Sequence, residues 1–321
     1  MVTYREFAPS PELRGRVRAY FSFTPGSAYW RGRRTLMREV LFTREESFCS
    51  PLFADGHTSL VIDLGATCRF GQGWTFGTPV RAHVIGALRT VGGAAGNTRS
   101  EMIGVYFEPG STLALLQVPA MELTDHVVDL EDVWGAQSAP LADELAGLDE
   151  EARVDRLEAA LLKRLRRAPS SRLSIDVIGI ARWARAEPVS ITVRRLADAA
   201  GVSRQHLTRV FRQVVGVSPK RYCRLARFQA GLIYAGVGAG VNWAQVAAEL
   251  GYADQSHMIA EFRELSSLTP EALAMQRWFH PFILEARSRF TLPPAILSSR
   301  AVNDFPDALA DSHDALECGS H

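Results

Sequence analysis

Two similar stretches in the C-terminal half constrain the fold of this chain more than any other feature. The first reads LADAAGVSRQHLTRVF over residues 196–211, and the second reads VAAELGYADQSHMIAEF over residues 246–262. Each places an alanine four residues before a glycine, then a serine or an aspartate, and then an apolar stripe that ends in phenylalanine. A pattern that occurs twice, about 50 residues apart, indicates two copies of one structural unit.

Each position of this pattern has a physical reason. The alanine is small enough to let a second helix cross closely, and the glycine takes the positive φ that ends a helix and turns the chain. Ser203 and Asp254 then supply side-chain oxygens that cap the next helix. This is the helix-turn-helix pattern, in which the second helix enters the DNA major groove. An ordinary helical hairpin is the alternative, and the repetition disfavours it.

The distribution of charge supports a nucleic-acid partner for this region. The whole chain has 36 basic and 35 acidic residues, and the resulting net charge of +1 by itself argues against such a partner. Residues 172–278, however, hold 14 basic and 8 acidic side chains, whereas residues 1–171 hold 19 and 21, and residues 279–321 hold 3 and 6. Both copies of the pattern therefore lie in one segment with a net charge of +6.

A long helix is expected between the two copies. Apolar residues recur at helical spacing from Pro219 to the glycine-rich sequence at residues 236–240. One rigid helix can hold two recognition helices about 34 Å apart, which is one helical turn of DNA. A single chain could then read two successive segments of the major groove.

The first half of the chain has the pattern of a β-rich domain. Residues 17–23, 59–64, 83–88 and 102–107 are short aliphatic and aromatic runs with glycine and proline between them, which favours a small sandwich or barrel. The glycine-rich sequences at residues 71–73 and 92–96 lack the Lys-Ser/Thr pair of a phosphate-binding loop and are interpreted as turns. Leucine stripes over residues 141–148 and 154–165 predict two helices, with Asp149 as the N-cap of the second. These stripes could pack on the barrel or form a dimer interface.

We therefore predict an α+β protein of two domains. Residues 1–170 are expected to form a β-rich, cupin-like barrel domain with flanking helices. Residues 171–279 are expected to form an all-α domain with two helix-turn-helix motifs joined by a long helix, and residues 280–321 a flexible tail. The linker-like sequence RRAPSS at residues 166–171 sets the boundary. No apolar run is long enough to span a bilayer and the N-terminus lacks the apolar core of a signal peptide, so we expect a cytoplasmic protein.

Motifs in both halves resemble one family of regulators. GVSP at residues 216–219, GYADQSH at residues 251–257 and LTP at residues 268–270, in this order, resemble the DNA-binding domain of AraC/XylS-family transcriptional regulators. VIDLG at residues 61–65 and YFEPG at residues 106–110 resemble the N-terminal sensor-type domain of one branch of that family. The resemblance implies a bacterial transcription regulator that is commonly a dimer, and it brings no assigned ligand for the N-terminal domain.

The exposed face of the first recognition helix predicts the main DNA contacts. Apolar residues of this helix take the core, which leaves Gln205, Thr208 and Arg209 to read bases, and the family resemblance implies the same three. Glutamine pairs with adenine, arginine with guanine, and threonine with either a base or a thymine methyl group. Arg204 and Arg212 are assigned to phosphates.

The second recognition helix is expected to contribute less to base reading. Its predicted contact residues are Gln255, Ser256, His257, Ile259, Ala260 and, at a phosphate, Arg263. The family often carries an arginine at the place of Ala260, so a guanine contact of about 1–3 kcal/mol is missing here. Other arginines of the basic segment could also meet phosphates: Arg194, Arg195, Arg221 and Arg224.

The N-terminal domain offers a candidate effector pocket. Trp74, Phe76, Tyr106 and Phe107 could line a barrel interior and hold a small apolar or aromatic effector, or they could simply form core. The sequence has no closely spaced histidine pair, nucleophile elbow or phosphate-binding loop. We therefore expect no catalytic residue, no metal and no cofactor.

The sequence thus predicts a sequence-specific DNA-binding transcription regulator that a ligand or partner modulates through its N-terminal domain. Its expected partners are a promoter or operator duplex, a second copy of the chain, RNA polymerase and a small effector, with no membrane. The alternative is a barrel enzyme, or a ligand-independent scaffold, that its C-terminal domain locates on DNA. The absence of a complete catalytic constellation from the sequence disfavours the enzyme.

Overall fold

The computed structural model describes residues 3–24, 48–65, 69–72, 75–76, 80–96, 101–168, 175–237 and 240–275. The tail predicted over residues 280–321 lies outside these ranges, and so does Trp74. The predicted domain boundary near residue 170 falls in the gap between residues 168 and 175.

The described residues of the first half form ten strands. In chain order they are β1 (Thr3–Phe7), β2 (Val17–Thr24), β3 (Phe48–Leu52), β4 (Ser59–Asp63), β5 (Arg69–Gln72), β6 (Thr75–Phe76), β7 (Ala82–Ile85), β8 (Gly92–Gly96), β9 (Met102–Phe107) and β10 (Val127–Asp129). Six strands form one antiparallel sheet in the order β1-β2-β9-β4-β7-β10, and four form a second in the order β3-β8-β5-β6. The prediction of a β-rich N-terminal domain is confirmed.

One of the two glycine-rich sequences interpreted as turns, residues 92–96, is a strand, so that prediction is wrong. In the other, Gly71 and Gln72 end β5, and Gly73 lies outside the described residues. Residues 69–72 form β5 and residues 92–96 form β8, which pairs with β3 on one side and β5 on the other. A sheet ladder uses only backbone N–H and C=O groups, so two flanking strands can hold a segment whose own side chains have low β propensity.

The two sheets face each other across a core of aromatic and aliphatic side chains. Phe21 and Tyr106, on neighbouring strands of the larger sheet, stack with their ring centroids 4.4 Å apart. Phe70 of the smaller sheet meets His83 of the larger sheet edge-on at 4.3 Å. The opposite face of the larger sheet packs against helices, because side chains alternate between the two faces along each strand.

Twelve α-helices are found in the described part of the chain. They are α1 (Thr112–Leu115), α2 (Ala120–Leu123), α3 (Leu130–Trp134), α4 (Leu141–Ala146), α5 (Glu150–Arg167), α6 (Val177–Ala186), α7 (Val193–Ala199), α8 (Arg204–Val215), α9 (Pro219–Val237), α10 (Trp243–Glu249), α11 (Gln255–Ser266) and α12 (Pro270–Ala274). None of these helices combines the length and the apolar character that a membrane span needs.

The leucine stripes pack on the larger sheet. Val154, Leu157 and Leu161 of α5 are buried in one cluster with residues of that sheet. Asp149 caps α5, accepting a hydrogen bond from the backbone N–H of Ala152 at 2.9 Å. Of the two options that the sequence leaves open, the structure shows packing on the N-terminal domain.

The two copies of the repeated pattern have the same backbone geometry. Gly201 and Gly251 have φ angles of +64° and +71°, and Ser203 and Asp254 cap the helices that follow. In each copy the residue after the glycine donates its N–H to the carbonyl of the alanine four residues before that glycine, at 3.1 and 2.9 Å. The predicted helix-turn-helix units are therefore α7–α8 and α10–α11.

The long helix α9 joins these units as predicted. Its 19 residues correspond to about 28 Å at 1.5 Å per residue. Tyr222 near its start is buried with residues of the first unit, whereas Phe228 and Leu232 are buried with residues of the second. Gln229, midway along α9, donates a 2.7 Å hydrogen bond to the carbonyl of Ala54 in the N-terminal half.

The N-terminal half also contacts α6 and the C-terminal end of α8. Glu108, directly after β9, accepts hydrogen bonds from Arg182 and Arg185 of α6 at 3.0 and 3.2 Å. Thr124, directly after α2, donates its hydroxyl to the carbonyl of Gly216 at the end of α8, at 3.0 Å. The first recognition helix is thus held at its C-terminal end by the β-rich half.

Candidate nucleic-acid interface

Helix α8 divides cleanly into a buried and an exposed face. Leu207, Val210 and Phe211 are buried. The predicted DNA-contact residues are exposed or half-buried: Arg204, Gln205, Thr208, Arg209 and Arg212. The 3.6-residue period of the helix separates the two sets, so the residues that dock α8 do not compete with those that face outward.

The exposed side chains of α8 line an open groove of about 640 Å³. All five predicted residues of this helix take part, together with Gln213 and Met121. Met121 belongs to α2 of the N-terminal half, and its side chain is 56% exposed. Its presence at this groove depends on how the two halves pack, so no local sequence pattern indicates it.

Local hydrogen bonds orient two of the predicted base readers. The Arg209 guanidinium donates from Nη2 to Nδ1 of His206, one helical turn earlier, at 3.3 Å. The Thr208 hydroxyl donates to the carbonyl of Arg204 at 2.7 Å, which leaves its methyl group and oxygen lone pairs for a partner. His206 was not among the predicted site residues, although its i,i+3 spacing to Arg209 is a usable signal.

Helix α11 presents a less basic surface. The exposed residues of its predicted set are Gln255, Ser256, His257, Ala260 and Arg263, and Ile259 is half-buried. The His257 ring lies edge-on to Tyr252 with centroids 5.5 Å apart, and its Nδ1 is 3.4 Å from the backbone N–H of Ala253. His257 is therefore held partly by its own turn.

Two arginines that the sequence offered for phosphates are bound to carboxylates instead. Arg224 of α9 donates from Nε to Glu261 at 2.8 Å and from Nη2 to Glu264 at 2.5 Å. Arg221 donates to Glu264 at 2.5 Å. Hydrogen bonds from Arg224 and Arg221 lower the pKa of the Glu264 carboxyl, so it is ionised and the cluster holds α11 on α9.

Two further arginines of the first unit also have acidic neighbours. Arg194 lies 3.8 Å from the Asp198 carboxylate, and Arg195 lies 4.0 Å from Glu187. No carboxylate of the described residues lies within salt-bridge distance of Arg204, Arg209 or Arg212. The unneutralised positive charge of the first unit is therefore concentrated on α8.

Family models match both halves of the chain. A model described as a helix-turn-helix domain matches residues 196–276, which hold both copies of the repeated unit. The C-terminal domain is an AraC-type helix-turn-helix domain. A second model, described as a domain of unknown function (DUF6597), matches residues 5–129. The AraC-type domain makes the chain a DNA-binding transcription regulator.

The solved structures that match the chain are distant in sequence. ToxT from Vibrio cholerae is 9% identical with a TM-score of 0.43, over 70% of this chain and 96% of that chain. Wild-type ToxT from Vibrio cholerae strain SCE256 with a bound unsaturated fatty acid is 10% identical with a TM-score of 0.41, over 71% and 90%. The AraC-like transcriptional activator CuxR is 14% identical with a TM-score of 0.22, over 70% and 84%. No curated protein matches the chain in sequence.

The four aromatic residues proposed for an effector do not face one space. Tyr106 and Phe107 are neighbours on β9, and their side chains point to opposite faces of the larger sheet. Tyr106 faces the space between the sheets, whereas Phe107 lies among the residues that pack on the helices. Phe76 is in β6, and Trp74 lies outside the described residues.

Proposed function

We propose that this regulator binds an asymmetric promoter site through two helix-turn-helix units that contribute unequally to base reading. The observation that carries the proposal is the exposed face of α8, where three arginines without carboxylate partners stand beside Gln205 and Thr208. Helix α11 offers one exposed arginine, Arg263, and an alanine, Ala260, at a place where an arginine could pair with guanine. Base reading is therefore assigned mainly to α8.

The roles on α8 follow from donor and acceptor chemistry. Arg209, which His206 orients, suits a bidentate contact with guanine, and Gln205 suits adenine. Thr208 presents a methyl group to a thymine. Arg204 and Arg212 lie at either side of these residues along the helix and are assigned to phosphates.

The proposed role of α11 is mainly to position the domain. Ile259 and Ala260 suit apolar contact with thymine methyl groups, and Arg263 suits a phosphate. Gln255, Ser256 and His257 lie in the first turn of α11, where the Asp254 carboxylate already accepts the N–H of His257, so their proposed contacts are made by the side chains.

The proposed domain organisation follows the sequence boundaries. Residues 1–170 form the domain that dimerises or senses a ligand, residues 171–279 bind DNA, and residues 280–321 form a tail. In this proposal the chain acts in the bacterial cytoplasm, where its DNA lies, and it reaches RNA polymerase from the promoter. It carries out no reaction of its own.

A buried histidine supports an effector site between the two sheets. His83 is 1% exposed, and neither of its ring nitrogens has a hydrogen-bond partner at normal geometry. Burial lowers the pKa of His83 to about 3, with a smaller opposing effect of the Val80 backbone, so the ring is neutral. In this proposal, a small apolar or aromatic effector with one polar group reaches the His83 ring only if the packing of Phe70 on that ring opens.

Selection of duplexes from a random pool, followed by footprinting, tests the DNA-binding proposal. We expect an enriched site at physiological salt, with affinity that falls steeply as salt rises. Arg209→Ala should weaken binding to that site by roughly 5- to 150-fold and relax the preference at one base pair. Arg204→Ala should instead weaken binding to all sequences and reduce the salt slope by about one.

Ser256→Ala is the matched change on α11 and should leave the footprint nearly unchanged. The opposite ranking, with Arg209→Ala silent and Ser256→Ala severe, would overturn the assignment of base reading to α8. Failure to enrich any sequence over random DNA would overturn sequence-specific binding itself.

A further inference from the structure

A second basic site lies in the N-terminal half, away from α8. It is a cavity between α5 and residues 134–141. Its volume is about 130 Å³, which is about the volume of four water molecules. Its walls include Trp134, Ser138, Lys163, Arg164 and Arg167, and no acidic residue lines it. A compact anion would fit this space, whereas a large apolar ligand would not.

The charge of this cavity is not neutralised by the protein. Arg156, a fourth cation on its wall, is bound to Glu144 at 2.5 Å. For Lys163, Arg164 and Arg167 no carboxylate of the described residues lies within salt-bridge distance. Burial, and then repulsion from Arg167, lower the pKa of Arg164.

Two buried N–H groups of residues beside the cavity lack an acceptor. Trp134 is 7% exposed, and its indole Nε1–H has no hydrogen-bond partner. The Nε–H of Arg164 has none either, and its guanidinium lies 5.1 Å from the centre of the Trp134 ring. Both nitrogens are shielded from solvent, so the donors that can meet a ligand in the cavity are the exposed groups of Lys163 and Arg167 and the terminal guanidinium nitrogens of Arg164.

The helix dipole of α5 does not account for this cluster. Its last turn carries Arg164, Arg166 and Arg167, and cations there do favour a helix C-terminus. The dipole is equivalent to only about half an elementary charge, however, and Lys163 adds a further cation to the same region. Most of the positive charge at this cavity is therefore left for a ligand.

We propose that this cavity binds a phosphate group, held by Lys163, Arg164 and Arg167. The phosphate belongs either to a small phosphorylated molecule or to the backbone of bound DNA. A phosphate monoester presents three terminal oxygens and a DNA phosphodiester presents two, and in both cases these anionic oxygens accept hydrogen bonds from the same donors. The site is separate from the recognition groove, whose wall shares none of these residues.

The chain offers a specific chemical test, because Lys163 and Lys220 are its only lysines. Both are exposed, so an amine-specific reagent should acylate both, and peptide mass spectrometry can measure the rate at each. The rate at Lys220 then serves as the internal reference for the rate at Lys163. Millimolar inorganic phosphate should slow the acylation of Lys163 at least threefold relative to Lys220. Sodium chloride at the same ionic strength should not.

Matched variants separate the cavity from general charge. Arg167→Gln removes a wall residue and should abolish the protection by phosphate, whereas Arg166→Gln, one residue earlier and not on the wall, should leave it intact. Both positions are exposed, so neither change disturbs the core. Equal loss in the two variants would overturn the proposal, and so would equal protection by chloride.

A second arm identifies the source of the phosphate. Protection of Lys163 by inorganic phosphate in the free protein assigns the site to a small phosphorylated molecule. Protection by a random-sequence duplex, but not by phosphate, assigns it to the DNA backbone. If neither probe protects Lys163, the site does not bind phosphate, and this result is independent of whether α8 reads a promoter.

Discussion

The carboxylate of Glu108 is the point at which a single change should most weaken the contact between the two halves. Its side chain is 7% exposed and accepts hydrogen bonds from Arg182 at 3.0 Å and Arg185 at 3.2 Å, both on α6. The Arg185 side chain is 11% exposed, and its other terminal nitrogen lies 2.6 Å from Nε2 of His57. Glu108→Gln would therefore leave Arg185 nearly buried beside a neutral partner.

The loss of stability expected for Glu108→Gln comes mainly from its ion pair with Arg185. Removing one partner of a buried ion pair costs about 3–5 kcal/mol, because the other charge is left uncompensated. Glutamine keeps one carbonyl oxygen as an acceptor, so we expect a smaller loss, about 2–4 kcal/mol in the free energy of unfolding. Arg182 is 47% exposed, and its pair contributes at most about 1 kcal/mol.

Urea unfolding of the full chain measures these changes in the free energy of unfolding. Arg182→Gln is the control, because Arg182 is the exposed partner of the same Glu108 carboxylate. Glu108→Gln should shift the midpoint strongly and Arg182→Gln weakly. A double-mutant cycle with Arg185→Gln should give a coupling of about 1 kcal/mol or more. Equal costs for Glu108→Gln and Arg182→Gln, or no coupling to Arg185, would refute the view that a buried pair joins α6 to the β-rich half.

Two further changes test the packing of the second unit. Hydrogen bonds from Arg224 and Arg221 lower the pKa of Glu264, so its contribution to stability is present above its unfolded pKa of about 4.3 and is lost as the pH falls. In the Glu264→Gln variant, the free energy of unfolding should therefore decrease less than in the parent as the pH is lowered below 5. An unchanged pH profile would contradict this. Gly231→Ala would place a Cβ 2.6 Å from the ring of Phe262, and the overpacking should outweigh the gain in helix propensity by about 1 kcal/mol. A variant more stable in thermal unfolding than the parent would contradict that reasoning.

Local sequence patterns predicted those elements whose stability is decided locally. The turns at Gly201 and Gly251 require a positive φ, and the caps at Ser203 and Asp254 require a short polar side chain, so residue type alone indicates both. Strand β8 is the opposite case, because its glycines and alanines are held by hydrogen bonds to strands on both sides. Nothing in the five residues themselves indicates those partners.

The same distinction applies to the candidate site. Helical period alone separates Arg209 from the buried face of α8, so the outward set could be predicted. The pairing of Arg224 with Glu261 and Glu264 could not, because those residues are about 40 positions apart and only the docking of α11 on α9 brings them together. Met121 at the edge of the α8 groove likewise depends on packing between the two halves.

The positive charge available to bind DNA is therefore smaller than the net charge of the segment suggests. It is the charge of those arginines that are not already paired with carboxylates. Residues 172–278 have a net charge of +6, yet several of their arginines are already bound to Glu108, Glu261 or Glu264. Among the described residues of this segment, the arginines without a carboxylate partner include three on the outer face of α8. Neutralised arginines gain little from a phosphate, because they would first have to give up a carboxylate. The structure thus concentrates the unpaired arginines of the first unit on the helix that carries the proposed base-reading side chains, so the proposal assigns phosphate binding and base recognition to the same surface.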